Sequence, residues 1–282
     1  MDAENDNVNV SRSTIAIVGA GNIGTAIADG LLASGNYPPG RLVLTRRTVG
    51  ELARLQEMGC VVSRDNREAA RRADVVVIAV QPHQIDGVLD EIAPELSPGS
   101  CVLISVVTGV EIGQIAARVA PGVVVVRAMP NTAIAVRESM TCLAAGDAGE
   151  SGLEAARAIF GTVGKTLVIR EEAMTAATAL GACGVAFFLR AIRAASQGGI
   201  EIGFHSEEAI EIAAQTARGA ATLLLTRRHH PEFEIDRVTT PKGCTIAGLN
   251  QMEHDGFSSA MIRGIVLSSA KAAELYKGAG RE

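Results

Sequence analysis

Tryptophan is absent from this chain, and two tyrosines and six phenylalanines hold aromatics to 3% of its 282 residues. With 48% of residues apolar, its core must be built almost wholly from Ala, Val, Ile and Leu. Positive charge is also in the minority: 26 Lys and Arg against 31 Asp and Glu leave a net charge of −5. That balance argues against nucleic acid or an anionic membrane as the main partner. No uninterrupted apolar run approaches the ~20 residues needed to cross a bilayer. Residues 1–12 are polar and acidic without an apolar segment, so they read as a disordered lead-in, neither signal peptide nor anchor. The five cysteines are odd in number and lack C-x-x-C spacing. Reduced thiols in a cytoplasmic protein, with no metal site, are the expectation.

What is present is a change of character along the chain. Residues 14–18, 42–45, 75–80, 101–107 and 123–128 are nearly continuous β-branched runs of strand length, the pattern of strands buried on both faces of a parallel sheet. Between them lie amphipathic patterns at 23–34, 50–58, 66–72, 84–92 and 111–118. The alternation predicts a doubly wound α/β sheet of Rossmann type with right-handed crossovers. Runs at 140–144 and 165–169, flanking a helix at 152–160, extend it. Beyond residue 170 the chain reads as all-helical. A long Ala-rich helix runs to the Gly198-Gly199 pair, and a second covers 206–227, opened by Ser206-Glu207-Glu208. A polar loop follows His229-His230-Pro231, then helices at 245–253 and 257–276. The expected division is a dinucleotide-binding domain at 13–169 and an all-helical domain at 170–282. So small and apolar a helical segment calls for a buried homodimer interface.

The chemistry starts at Gly19-Ala20-Gly21-Asn22-Ile23-Gly24, a Gly-x-Gly-x-x-Gly turn that follows a strand and opens a helix. Gly19 permits the tight turn, Gly21 lets backbone approach a pyrophosphate, and Gly24 lets helix pack on strand. The free amides of Asn22, Ile23 and Gly24 then face the anion. After the run at 42–45 come Arg46 and Arg47, with no acid before Glu51. A carboxylate is missing where NAD uses one on its ribose, and two guanidiniums stand where a 2′-phosphate needs them. The cofactor expected is NADPH, with NADH weaker. The turn Ala79-Val80-Gln81-Pro82 is expected along ribose and nicotinamide, and the neighbouring His83 reads as a cap or surface residue. Arg127-Ala128-Met129-Pro130-Asn131-Thr132 follows another strand, with Met129 and Asn131 assigned to the cofactor.

Far away, Val238-Thr239-Thr240-Pro241-Lys242-Gly243-Cys244-Thr245-Ile246-Ala247-Gly248-Leu249 is a polar, Gly-containing loop that becomes a helix. A helix start with hydroxyls and free amides suits a carboxylate as well as it suits an ordinary cap. With this block, the glycine turn, the Ala79–Pro82 segment and Arg127–Thr132, followed by Glu253 and Gly256-Phe257, the chain resembles the pyrroline-5-carboxylate reductases over residues 14–275. The resemblance implies an NAD(P) domain, an interleaved helical homodimer, in many members a decamer of dimers, and an active site between the nicotinamide and the helical domain. It places the substrate on Thr240, Lys242, Gly243, Cys244 and Thr245, the amides holding its carboxylate and the Thr245 hydroxyl, the catalytic group, facing the ring nitrogen. It implies reduction of 1-pyrroline-5-carboxylate to L-proline by hydride transfer.

Four departures from the family pattern fall near the substrate. Lys242 stands for a usual Gly, Cys244 for a small residue or Thr, Ala133 for Pro, and Gly181–Phe187 for Ser-Gly-Ser-Gly-Pro-Ala-Tyr. They leave open a reductase of another cyclic imino acid, such as a six-membered ring. A non-catalytic NADP-binding protein would need a decayed loop, yet Thr239, Thr240, Gly243 and Thr245 are in place. A β-hydroxyacid reductase would carry a Lys on the first long helix, and residues 171–199 contain none.

Overall fold

The structure is a computed structural model that describes residues 13–146 and 149–275. The lead-in expected at 1–12 and Tyr276, the expected end of the helix from 257, lie outside the described residues. The sheet has eight strands: β1 (Ile15–Val18), β2 (Leu42–Thr45), β3 (Val61–Ser63), β4 (Val75–Ile78), β5 (Val102–Ser105), β6 (Val124–Met129), β7 (Ser139–Ala145) and β8 (Gly164–Val168). Their order is β3-β2-β1-β4-β5-β6-β7-β8. The reversal of direction beside β1 is where ligands dock in such sheets.

Both faces of the sheet are buried. Ile15, Ile17, Val75 and Val77 face a core shared with α1 (Asn22–Ser34) and α6 (Glu150–Phe160). Ala16, Val18, Val76 and Ile78 face the opposite core, with α3 (Asn66–Arg71), α4 (Ile85–Ile92) and α5 (Ile112–Ala116). Near-continuous apolar runs are what this demands. α2 (Ala53–Glu57) completes the helices between strands, entered through a 3-10 turn at Val49–Leu52. Burial pushes the Cys101 thiol up to about 11, aided by the charge of Asp74.

Three features correct the sequence reading of the sheet and helices. β3 was not expected; three half-buried residues on an edge are too short for periodicity to reveal. β7 runs antiparallel to β6, so the sheet is mixed. The connection between them carries only a 3-10 turn at Thr132–Val136, too short for a crossover to a parallel strand. The long helix expected from 171 is broken into a 3-10 turn (Glu171–Ala173), α7 (Met174–Ala177), a π segment (Thr178–Cys183) and α8 (Gly184–Glu201). Taken together, the helical stretch Glu171–Glu201 is long and apolar enough, by length and composition alone, to cross a membrane. No uninterrupted apolar run shows this, because Gly, Thr and Arg punctuate it.

By packing, the described residues as far as Cys183, with those from Ser268 onward, form one compact unit and Gly184–Leu267 a second. Met174 and Ala179 are fully buried within the first unit. The second unit holds α8, α9 (Ser206–Arg227), α10 (Pro231–Val238), α11 (Cys244–His254) and most of α12 (Phe257–Ala273). Here two more corrections arise. The cap of α9 is His205, whose amide donates to Glu208 Oε2 at 3.0 Å, with Ser206 already helical. The expected polar loop after Pro231 is α10, with Pro231 in its first turn and the His230 ring accepting the Glu232 amide at 3.3 Å. Helices α8 and α9 approach through bare surfaces: a Cβ on Gly199 would lie 3.1 Å from that of Ala209. Otherwise this unit has almost no core. Gly184, Ser196 and Ala209 are its buried residues, whereas Phe188, Leu189, Ile262 and Val266 are each about 60% exposed.

Candidate functional site

The glycine turn joins β1 to α1, and three of its glycines are there for different reasons. Gly19 has φ +88°, and a Cβ on it would lie 2.4 Å from Val80 Cγ1; conformation and space both demand glycine. A Cβ on Gly24 would sit 3.0 Å from the Gly19 carbonyl oxygen and 3.1 Å from Ile17 Cγ2, so α1 rests on β1 only because Gly24 is bare. Nothing lies within 4 Å of a Cβ added to Gly21. The fold makes no demand at Gly21; the open space beside it does. Amides of Gly19 and Ala20 both donate to the Thr45 carbonyl, at 3.2 and 2.8 Å, pinning the turn to the end of β2. No side chain caps the first turn of α1. Asn22, Ile23 and Gly24 therefore present amides at the positive end of a 13-residue helix. These residues fit a dinucleotide pyrophosphate.

A cleft of about 630 Å³ opens beside this turn. It brings together Gly19, Gly21, Arg46 and Arg47 from the sequence reading, with Ala79, Val80 and Gln81 from the turn after β4. Pro82 and His83 belong to the 3-10 turn that leads into α4, closed by Gln84 Oε1 accepting the Gln81 amide at 3.2 Å. Within the cleft the arginines differ. Arg46 donates to the Ala20 carbonyl at 3.0 Å and pairs with Glu51. Arg47 makes no hydrogen bond or ion pair among the described residues.

Sequence reasoning missed Arg64, Asn66 and Glu91, which also line the cleft. The signal was the unread strand β3, which pairs Ser63 with Thr45 and so brings the residues after both strands to one edge. Asn66 donates to Glu91 Oε2 at 2.8 Å and accepts from the Thr45 hydroxyl at 2.6 Å, while Thr45 Oγ1 accepts the Gly19 amide at 3.4 Å. A hydrogen-bond chain thus runs from α4 to the glycine turn.

Met129 and Asn131 do not line this cleft. Met129 packs with Cys142, Ala144 and Met174. Asn131 is buried, and its carboxamide is engaged at both ends: Oδ1 accepts the Ala133 amide at 3.1 Å and Nδ2 donates to the Gly181 carbonyl at 3.2 Å.

The second unit carries the hydroxyl-rich loop between α10 and α11. The Gly243 amide donates to the Thr240 carbonyl at 2.9 Å, closing a turn. A Cβ on Gly243 would lie 2.4 Å from Thr240 Oγ1, so this glycine is required by packing. Lys242 has φ +61°, the left-handed region that costs a side-chain-bearing residue ~1–2 kcal/mol. Gly243 caps α11 without a side-chain hydrogen bond. The amides of Cys244 and Thr245 open the helix, and the Thr245 hydroxyl makes no hydrogen bond among the described residues. Such an end can hold a carboxylate with a hydroxyl donor beside it.

Two family models match, one described as pyrroline-5-carboxylate reductase dimerisation over residues 171–275 and one as NADP oxidoreductase, coenzyme F420-dependent, over residues 14–109. Pyrroline-5-carboxylate reductase 1 of Dictyostelium discoideum is 52% identical over 93% of this chain, which spans half of that relative's length. Pyrroline-5-carboxylate reductase 2 of the same organism is 47% identical over 94% of this chain and 93% of its own. Among solved structures, a pyrroline-5-carboxylate reductase from Coxiella burnetii is 31% identical, covers 94% of this chain and 99% of its own, and superposes with a TM-score of 0.84. With a glycine turn shaped for a dinucleotide, and with the second of these relatives and the Coxiella burnetii structure similar over almost their whole length, the chain belongs to the pyrroline-5-carboxylate reductase family.

Proposed function

We propose that this chain reduces 1-pyrroline-5-carboxylate to L-proline with hydride from NADPH, NADH serving less well. The uncapped start of α11, with the Gly243 turn intact and the Thr245 hydroxyl unpaired among the described residues, carries this reading. Bound NADPH supplies the hydride. The first-turn amides of α1 hold its pyrophosphate. With the Gly243 amide closing the turn onto the Thr240 carbonyl, the amides of Cys244 and Thr245, the Thr240 hydroxyl and the Lys242 charge hold the substrate carboxylate. The Thr245 hydroxyl donates a hydrogen bond to the imine nitrogen and makes the adjacent carbon electrophilic, and the nitrogen takes its proton from solvent water as the hydride arrives. Orientation then contributes much of the rate, so a strong buried acid is unnecessary.

Labour divides between residues 13–169, which bind NADP(H), and 170–282, which dimerise and bind substrate. The last strand ending at Val168 and the span of the dimerisation match support this division, while by packing the segments 170–183 and 268–275 belong to the first compact unit. The exposed apolar faces around Phe188, Ile262 and Val266 are covered by a second copy rather than by lipid, and the dimers build a decamer. Five unpaired cysteines suit a reducing, cytoplasmic setting.

NADPH oxidation measured with five- and six-membered cyclic imino acids side by side, with product identification, tests the reading. Faster turnover of the five-membered ring to proline is expected. No turnover of either would overturn it.

A further inference from the structure

Three arginines reach the cleft, and their hydrogen bonds give them different work. Arg46 is already committed: its guanidinium holds the Ala20 carbonyl of the glycine turn at 3.0 Å and is neutralised by Glu51. Arg47 and Arg64 are exposed cleft residues with no hydrogen bond or ion pair among the described residues. They emerge from neighbouring strands. β2 and β3 are parallel with Thr45 opposite Ser63, and the Arg46 amide donates to the Ser63 carbonyl at 3.2 Å. Parallel strands lie ~4.8 Å apart, close enough for two guanidiniums to grip one phosphate.

The backbone that presents Arg64 is held on both sides. Ser63 Oγ accepts the Asp65 amide at 3.0 Å, and Asp65 in turn caps α3 by accepting the Glu68 amide at 3.0 Å. A cation on a pinned turn loses little freedom on binding, and that raises its value to a ligand.

We infer that Arg64, together with Arg47, is the specificity-determining pair that reads the 2′-phosphate of NADP(H), and that Arg46 is a positioning residue for the glycine turn. The inference rests on the dinucleotide reading of the cleft and deepens it. A dianionic phosphate takes bidentate guanidinium bonds well. Two cations without partners among the described residues supply that charge in full, whereas the Arg46 charge is already offset by Glu51 and its guanidinium is anchored on the Ala20 carbonyl. An unphosphorylated ribose gains nothing from the pair, which favours NADPH over NADH.

Direct binding tests this independently of turnover. The purified full chain and its Arg64→Gln, Arg47→Gln, Arg46→Gln and Arg64→Lys variants are titrated with NADPH, NADH and 2′,5′-ADP. Arg64→Gln and Arg47→Gln should each weaken NADPH and 2′,5′-ADP ~10-fold or more, the usual scale of a lost charge-assisted contact, and shift NADH less than ~2-fold. Arg64→Lys should recover part of the loss. Arg46→Gln should weaken NADPH and NADH by the same factor. Unchanged NADPH affinity in Arg64→Gln, or equal losses for both dinucleotides, would overturn the inference while leaving the cofactor reading intact. A wild-type chain that binds neither dinucleotide would sink both.

Discussion

Arg127 donates to Glu171 Oε1 at 3.0 Å, and the same carboxylate oxygen accepts the Ile112 amide at 2.7 Å. One oxygen joins the end of β6, the start of α5 and the first helical turn after the sheet. Arg127, a charge that stands out in the sequence beside Met129 and Asn131, is 6% exposed at its side chain and is spent inside the first unit.

Glu171→Ala should therefore lower stability by about 2 kcal/mol, because it leaves a buried guanidinium without its counter-charge. The partial exposure of Glu171 keeps the figure below that of a fully buried pair. Urea unfolding would measure it. A midpoint equal to wild type would show that the pair carries no stability.

The glycines of the turn should separate in their effects. Gly19→Ala combines a left-handed backbone with a collision against Val80 and should cost ~3 kcal/mol of stability. Gly21→Ala meets nothing within 4 Å and should cost less than ~1 kcal/mol. It should nevertheless weaken NADPH more than ~10-fold, because the added methyl stands where the pyrophosphate approaches. Thermal melts set beside NADPH titrations would check both, and the pattern fails if Gly21→Ala binds like wild type.

Thr245→Ala should lower kcat on pyrroline-5-carboxylate about 100-fold, the usual scale for loss of one donor to a reacting group, with NADPH affinity unchanged. Thr245→Ser should restore most of the rate. Wild-type turnover in the alanine variant would remove Thr245 from the chemistry.

Lys242→Gly tests a residue held at φ +61°. Relief of the left-handed backbone should leave the melting temperature equal or higher, since the strain is worth ~1 kcal/mol. Loss of its charge should raise KM for the imino acid about fivefold with little change in kcat, as an exposed charge pair is worth at most ~1 kcal/mol. An unchanged KM would place the ammonium in solvent.

Legibility followed the range of the forces involved. β2 could be read to the residue, Leu42–Thr45, and α9 to within one residue at its cap, because each is a strongly patterned run bounded by local turn chemistry. β3 and α10 could not. Three half-buried edge residues carry no period, and a helix of eight residues after His-His-Pro resembles a polar loop. The antiparallel β7 was hidden for another reason: strand direction depends on the path of the connection, which composition does not record.

By itself the sequence determined the glycine turn, the missing acid after β2 and the Thr240–Thr245 loop, because backbone geometry and short-range charge depend on adjacent residues. The partners of each charge were decided only by the tertiary structure. Pairing β2 with β3 brings Arg64 level with Arg46 across a gap in sequence. Glu51 and Ala20 then occupy Arg46, and Arg47 and Arg64 are the cleft cations left free among the described residues.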